Sequence, residues 1–357
     1  MNNETIRILF IIDGLRPGGK ERQMVEIIKN IDPTQFTIGV VTFNSKQHYS
    51  LQASEYSSFY KEIKKRPTRL EPLFTMWSCF NDFKPDVVHT WDALSSFYAY
   101  LPCKYYKIPV INGSVRDAGV DKGLNYNFKR FFLHRADVVV GNSEAGLKAY
   151  NIKGEVIYNA INTSRFLAPE VTGEFNLLMT ANFSDYKDQE TFLKAAVLLV
   201  IDKTIDKVYL LGDGPHRKKH IDWIHCNYPD IEDHFQFPGA VRHVEEYLSR
   251  CHIGVLCSTP EYSEGLSNSV LEYMAAGLVP IVTDLGGSAE IVEDGKNGFL
   301  IKPQDNHRIV ELVHLLKDNL ILREQLIENA KNTIQEKFSL QKNINLLITL
   351  YKKIADF

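Results

Sequence analysis

Short apolar, β-branched runs alternate with stretches of helical period along the whole chain, from RILFIID (7–13) to GFLI (298–301). The first half adds TIGVVTF (37–43), DVVHT (86–90), PVING (109–113), DVVVGN (137–142) and EVIYN (155–159). The second half answers with FNLLMTA (175–181), KVYLLG (207–212), HFQFPG (234–239), IGVLCS (253–258) and VPIVT (279–283). Strands that alternate with helices predict parallel α/β sheets. The runs lack strict polar alternation, as expected where helices cover both faces of a sheet. TSRFLAPEVTGE (163–174) has proline, glycine and charge but no period, and reads as a linker. The expected fold is therefore α/β, with two Rossmann-like doubly wound domains over 1–165 and 166–338. Their strand carboxyl ends, where such sheets bind ligands, are expected to face a shared cleft. In residues 339–357, Ile344, Leu347, Ile348 and Tyr351 share one helical face, predicting a terminal helix that crosses back to the first domain.

Length and composition fit this picture. At 357 residues the chain exceeds one ordinary core and suits two. It is 44% hydrophobic and 24% charged, and no run reaches the ~18 to 20 apolar residues of a membrane span. MNNETIRILFIID enters a strand without the parts of a signal peptide, so a cytoplasmic location is expected. Five cysteines without a C-x-x-C pair indicate neither a disulfide framework nor a zinc site, and no metal is expected. Residues 1–170 carry 22 Lys and Arg against 17 Asp and Glu, the remainder 19 against 27. A basic first half suits an anionic ligand or surface.

Several strand ends carry residues suited to a nucleotide or sugar. Gly18 and Gly19 precede a helix and allow backbone N–H groups to approach an anion; an ordinary tight turn is the rival reading. The full dinucleotide fingerprint is absent. Lys187 stands at a loop-to-helix transition, and Gly212, Asp213, Gly214 and Pro215 end a strand. In EYSEGLSNSVLEYMAAG (261–277), Ser269 and Glu272 have capping-box spacing. Glu272 could instead accept two hydrogen bonds from a ribose diol, with the N–H groups of Gly265, Leu266 and Ser267 meeting a phosphate or sugar. Gly286, Gly287 and Glu290 mark another strand-to-helix junction.

The ordered series PGGKE, GNSEA (141–145), YNAINTSRF (158–166), KD (187–188), GDGP (212–215), FPGAV (237–241) and SEGLSNSVLEYMAAGLVPIVTDLGGSAEIV (263–292) resembles the retaining, GT-B-fold glycosyltransferases of glycosyltransferase family 4. The resemblance spans nearly the whole chain. It implies a nucleotide-sugar donor, a UDP- or GDP-sugar, with no catalytic metal and no cofactor. It assigns Gly18 and Gly19 to the loop over the donor diphosphate, Lys187 to its charge, and Ala240 and Val241 to the base. Asn182, Gly212, Gly214 and Ser267 fall in the donor set. Glu264 would lie beside the donor sugar, Gly265 and Leu266 would present N–H groups, and Glu272 would hold the ribose. Asn182 stands where an arginine is common in the family, and Trp91 where a second histidine is common. Arg116 stands where many relatives place a histidine beside the reacting centre, and His89 and Asp92 lie at another acceptor-side strand end; Glu264, Lys187, Arg116 and His89 are the catalytic residues the resemblance implies.

The acceptor is expected to be a glycan or a lipid-diphosphate-linked glycan of bacterial surface polysaccharide synthesis. FYKEIKKRPTRLEPLF (59–74) and LNYNFKRFFLHRAD (124–137) interleave basic and aromatic residues, which suits peripheral contact with the inner face of a cell membrane, or else a buried aromatic face with solvated lysines. Nucleic acid is not an expected partner. The residues leave open a nucleotide-sugar 2-epimerase on the same fold and a non-catalytic binding protein.

Overall fold

The computed structural model describes residues 5–44, 47–63, 71–119, 122–166, 173–259, 261 and 263–355. The chain divides into two compact units, residues 1–160 with 340–357 and residues 161–339. Among the described residues, no helix is long and apolar enough to cross a membrane.

In the first unit the strands are β1 (Ile6–Ile12), β2 (Phe36–Thr42), β3 (Phe59–Glu62), β4 (Val87–Thr90), β5 (Val110–Val115), β6 (Val138–Gly141) and β7 (Glu155–Val156). They form one parallel sheet in the order β3-β2-β1-β4-β5-β6-β7. The order reverses between β1 and β4, so their carboxyl ends open the crevice typical of doubly wound sheets. β1 shows why its sequence is apolar throughout. Ile8, Phe10 and Ile12 pack on Met24, Val25 and Ile28 of the helix Gly19–Asn30. Leu9 and Ile11 face the other way, onto Met76, Cys79, Phe80 and Phe83 of the helix Glu71–Phe83. Each such side chain contributes about 1.5–3 kcal/mol on burial.

The first face is closed by the helix Leu340–Ala355, whose Leu347, Leu350, Tyr351 and Ile354 enter the same cluster. Tyr351 packs edge-on against Phe10 and Phe36, with ring centroids 6.2 Å apart in each case. The terminal helix expected from its apolar face is thus part of the first unit's core.

In the second unit β8 (Leu177–Thr180), β9 (Val208–Leu211), β10 (Phe235–Gly239), β11 (Ile253–Leu256), β12 (Val279–Thr283) and β13 (Phe299–Ile301) form a parallel sheet ordered β10-β9-β8-β11-β12-β13. The reversal here lies between β8 and β11. Tyr273, from the helix Asn268–Ala276, lies flat on this point: its hydroxyl accepts from the Thr180 amide at 2.7 Å and donates to the Val255 carbonyl at 3.3 Å. A Cβ on Gly254 would stand 2.3 Å from the Tyr273 ring, so glycine is what lets the ring reach the strand.

Two sequence expectations require correction. β3 lies inside the stretch read as a basic aromatic surface or a buried aromatic face, with no strand expected; FYKE is a short edge strand, without the buried apolar run that marks the central strands. Residues 64–70 of that stretch lie outside the described residues. The capping box is also absent. Ser267 precedes the helix without a side-chain cap bond, while the Ser269 hydroxyl donates to the Thr180 carbonyl at 2.8 Å.

Candidate active site

The second unit gathers Lys187, Glu264 and the start of the helix Asn268–Ala276 at the carboxyl ends of β8 and β11. Lys187 is fixed by backbone on both sides: it bridges Ser258 as an isolated antiparallel pair, and the Asp188 amide donates to the Cys257 carbonyl at 3.1 Å. Asp188 also caps the helix Gln189–Ile201 by accepting from the Thr191 amide at 3.0 Å. The Lys187 Nζ reaches Glu264 Oε1 at 2.7 Å, with the lysine side chain 10% exposed and the glutamate 33%. Such a charge-assisted contact orients both side chains.

Glu264 is held from behind. Its carbonyl accepts from the Gly287 amide at 3.0 Å, and a Cβ on Gly286, which has φ +58°, would fall 2.1 Å from that carbonyl oxygen. Gly265 and Leu266 are buried and lead to Ser267 at the helix start. Ser267 makes no side-chain cap bond, and the positive end of the helix favours a negative charge there. Glu272 lies one turn further in and is 3% exposed.

Gly212 and Gly214 have a reason within the chain itself. Their φ angles are +130° and +153°, and Cβ atoms there would stand 2.1 Å from the Ala181 carbonyl oxygen and 2.4 Å from that of Phe183. They let the GDGP loop close on the loop carrying Asn182, whose carbonyl accepts from Gln189 Nε2 at 2.9 Å. Asn182 itself is exposed. Gly212 also donates its amide to the Gly239 carbonyl at 2.8 Å, which ties the FPG turn and the following Ala240 and Val241 to the same loop. The Arg217 guanidinium donates to the Phe237 carbonyl in that turn, a contact the sequence reading missed.

In the first unit, Gly18 adopts extended backbone and precedes the helix Gly19–Asn30 without a side-chain cap. A Cβ on Gly18 would lie 2.3 Å from Glu21 Oε2. Lys20, also unread in the sequence, reaches Asp13 at 2.6 Å and Asp92 at 3.5 Å. Burial opposes its charge, but Asp92, Asp13 and Glu21 outweigh that and hold Lys20 above its ordinary pKa. Asp13 and Asp92 follow the neighbouring strands β1 and β4, whose pairing of Ile11 with Thr90 brings them together. Asp92 further caps the helix Ala93–Tyr106 in a capping box with Ser95.

Arg116 follows β5. Its Nε donates to the Gly113 carbonyl at 3.0 Å, its Nη1 to Asn159 Oδ1 at 3.1 Å, and its guanidinium carbon stands 4.1 Å from the Trp91 ring centroid. Burial lowers its pKa to about 10, against the raising influence of Glu21 and Tyr351. Among the described residues no carboxylate forms an ion pair with it. A cavity of about 20 Å³ beside it, lined in part by His89, Trp91, Asn159 and Asn343, has room for a single water.

His89 was expected to act at the reacting centre, and its surroundings point elsewhere. It is 1% exposed, its Nδ1 is bonded to the Tyr351 hydroxyl at 2.7 Å, and Phe10 and Trp91 pack against its ring. Burial, assisted by the Arg116 charge, pushes its pKa down to about 3. It is a neutral supporting side chain beneath the strand end. Among the described residues no group of three or more His, Cys, Asp or Glu side chains is placed to hold a metal.

Residues 17–165 match the family described as Glycosyltransferase Family 4, and residues 161–333 the one described as Glycosyl transferases group 1. The chain is 34% identical over 322 residues to N,N'-diacetylbacillosaminyl-diphospho-undecaprenol alpha-1,3-N-acetylgalactosaminyltransferase of Campylobacter jejuni, covering 80% of this chain and 81% of that protein. It is 28% identical over 250 residues to N-acetyl-alpha-D-glucosaminyl L-malate synthase of Bacillus anthracis, covering 65% of this chain and 64% of that relative, just under two thirds of its length. The structure of Anabaena HepE in complex with UDP superposes with a TM-score of 0.85, covering 98% of this chain and 100% of that one; at 17% identity this likeness concerns the fold. With family profiles on both units and a relative matched across four fifths of both chains, the chain belongs to the GT-B glycosyltransferases, combining a family 4 region with a group 1 region.

Proposed function

We propose that the protein transfers a sugar, with retention of anomeric configuration, from a nucleotide-sugar donor to a glycan or lipid-diphosphate-linked glycan of bacterial surface polysaccharide. The observation that carries this reading is the Lys187–Glu264 pair at 2.7 Å, placed at a strand-order reversal beside an uncapped helix start with Glu272 buried in the following turn. A diphosphate draws Lys187 and the helix start; Gly265, Leu266 and Ser267 present further N–H groups. Glu272 accepts the two ribose hydroxyls, each charge-assisted bond worth about 1.5–3 kcal/mol. Ala240 and Val241 border the base. Glu264, released from Lys187 by the incoming diphosphate, faces the sugar.

The chemistry balances without a covalent enzyme intermediate. The anomeric carbon–oxygen bond to the diphosphate breaks, the acceptor oxygen bonds that carbon on the same face, and its proton passes to the departing phosphate oxygen. Lys187 and the backbone N–H groups stabilise the charge that develops on the leaving group. Arg116 serves the acceptor side. One nucleotide sugar in a panel of UDP-, GDP- and ADP-sugars is expected to raise the melting temperature, since selective binding to the folded state stabilises it. Anomeric coupling in the NMR spectrum of the product should then report the donor's configuration. No thermal response to any donor would sink the site assignment, and an inverted product would sink the stereochemical part.

An exposed aromatic face supports a lipid-linked acceptor reached at the inner face of the membrane. Phe97 and Leu101 of the helix Ala93–Tyr106, with Leu124, Phe128 and Phe131 of the helix Leu124–Leu133, are exposed, and Leu124 is 88% exposed. The Arg135 guanidinium carbon lies 3.4 Å from the Phe131 ring centroid, adding positive charge to this face. Basic and apolar groups together suit an anionic lipid surface. The double variant Leu124→Ser and Phe131→Ser is expected to reduce flotation with phosphatidylglycerol vesicles at least fivefold without lowering the melting temperature. Unchanged flotation would remove the membrane from this proposal.

A further inference from the structure

Three contacts seat Arg116, the Asn159 amide oxygen, the Trp91 ring and the Gly113 carbonyl, and the last two lie against one buried side chain, His89. The His89 ring centroid lies 5.1 Å from that of Trp91. On the other side, a Cβ built on Gly113 would fall 2.6 Å from His89 Nε2, so the imidazole occupies the space that the absent side chain leaves. Gly113 then offers its carbonyl to Arg116 Nε at 3.0 Å. What orients the imidazole comes from 262 residues further along the chain: the Tyr351 hydroxyl, at 2.7 Å from Nδ1, on the helix Leu340–Ala355.

We propose that Tyr351 is a positioning residue for the acceptor-side guanidinium, acting through His89 to hold Trp91 and Gly113 where they seat Arg116. The inference rests on the reading that Arg116 serves the reaction, which is an assignment separate from the seating itself. Tyr351 is fully buried, and burial pushes the hydroxyl pKa up, so it stays protonated and available as a donor. A neutral His89 matters to this arrangement: a second positive charge under Arg116 would repel it, and burial with the Arg116 charge keeps the ring uncharged. Among the described residues, the ring nitrogen that faces Gly113 has no hydrogen-bond partner. His89 is therefore fixed through Nδ1, by Tyr351, and by ring packing. Removing the hydroxyl frees the imidazole to rotate, and its rotation disturbs two of the three groups that seat the guanidinium.

The test uses the full chain and two readouts. In Tyr351→Phe, and independently in His89→Phe, the Arg116 Nε–H signal, assigned with Arg116→Lys, is expected to exchange with solvent about tenfold faster. The turnover number for the acceptor reaction is expected to fall about tenfold with donor KM within twofold. A merely structural tyrosine would lower the melting temperature while leaving the Arg116 signal and turnover per folded molecule unchanged, and that result in both variants overturns the proposal. Faster exchange with unchanged turnover would keep the seating role and remove Arg116 from the reaction instead.

Discussion

Replacing Lys187 by alanine is expected to lower kcat/KM for the donor by about 10²–10³, the usual cost of deleting one preorganised group that stabilises developing negative charge. The ion pair makes the loss larger than a single missing charge. Lys187 Nζ stands 2.7 Å from Glu264 Oε1, so its removal also leaves a carboxylate unneutralised beside the donor diphosphate. Asn182, at the position where relatives often carry an arginine, supplies no charge to compensate. Lys187→Arg should retain part of the activity, because a guanidinium can still bridge carboxylate and phosphate, although its planar fork fits a space shaped for an ammonium group poorly. Stability should change little, since the Asp188 amide and the bridge to Ser258 hold the loop by backbone contacts. Initial-rate kinetics with the stabilising nucleotide sugar, alongside thermal melts, decide the matter: full activity in Lys187→Ala would show that the diphosphate lies elsewhere.

Gly212→Ala is expected to destabilise the second unit by about 3 kcal/mol, two costs adding. Glycine alone is comfortable near φ +130°, and an L-residue there pays roughly 1–3 kcal/mol in backbone strain. The new methyl would also meet the Ala181 carbonyl oxygen at 2.1 Å, a backbone atom that cannot rotate aside, and such overpacking costs about 1–3 kcal/mol. For a unit of this size, that predicts a fall of roughly 6–12 °C in its melting midpoint. Donor affinity should fall as well, because the displaced loop carries Asn182 and leads to Lys187. A variant with the melting behaviour and donor response of the parent would contradict this account of the GDGP loop.

Periodicity made the two doubly wound sheets legible, because strands such as β1 and β12 are buried on both faces and can only be apolar. β3 escaped it: at a sheet edge, FYKE has no apolar run to betray it. The donor-side loops were legible as an ordered set, but the reasons for individual residues were not. Ser269 and Glu272 had the spacing of a local cap, yet Ser269 bonds a carbonyl 89 residues away. Spacing along one helix cannot reveal such a partner. Gly212 was legible as part of the donor set and Gly286 as a strand-to-helix junction, while the structure shows each accommodating a neighbouring carbonyl. Lys20 with Asp13 and Asp92 needed the register of β1 against β4. The surroundings of His89 depend on a tyrosine that no local pattern could have paired with it.

The placement of Leu347, Leu350, Tyr351 and Ile354 in the first unit's core has a consequence for the order in which the molecule can be built. A ribosome makes residues 1–160, then the whole of 161–339, and only afterwards 340–355. At about 5–20 residues per second, the face of the sheet formed by Ile8, Phe10 and Phe36 waits roughly ten seconds to half a minute for the helix that covers it. The second unit has every residue of its own core available before that helix exists. Synthesis therefore imposes a sequence on folding: the half that emerges first is the half that must finish last.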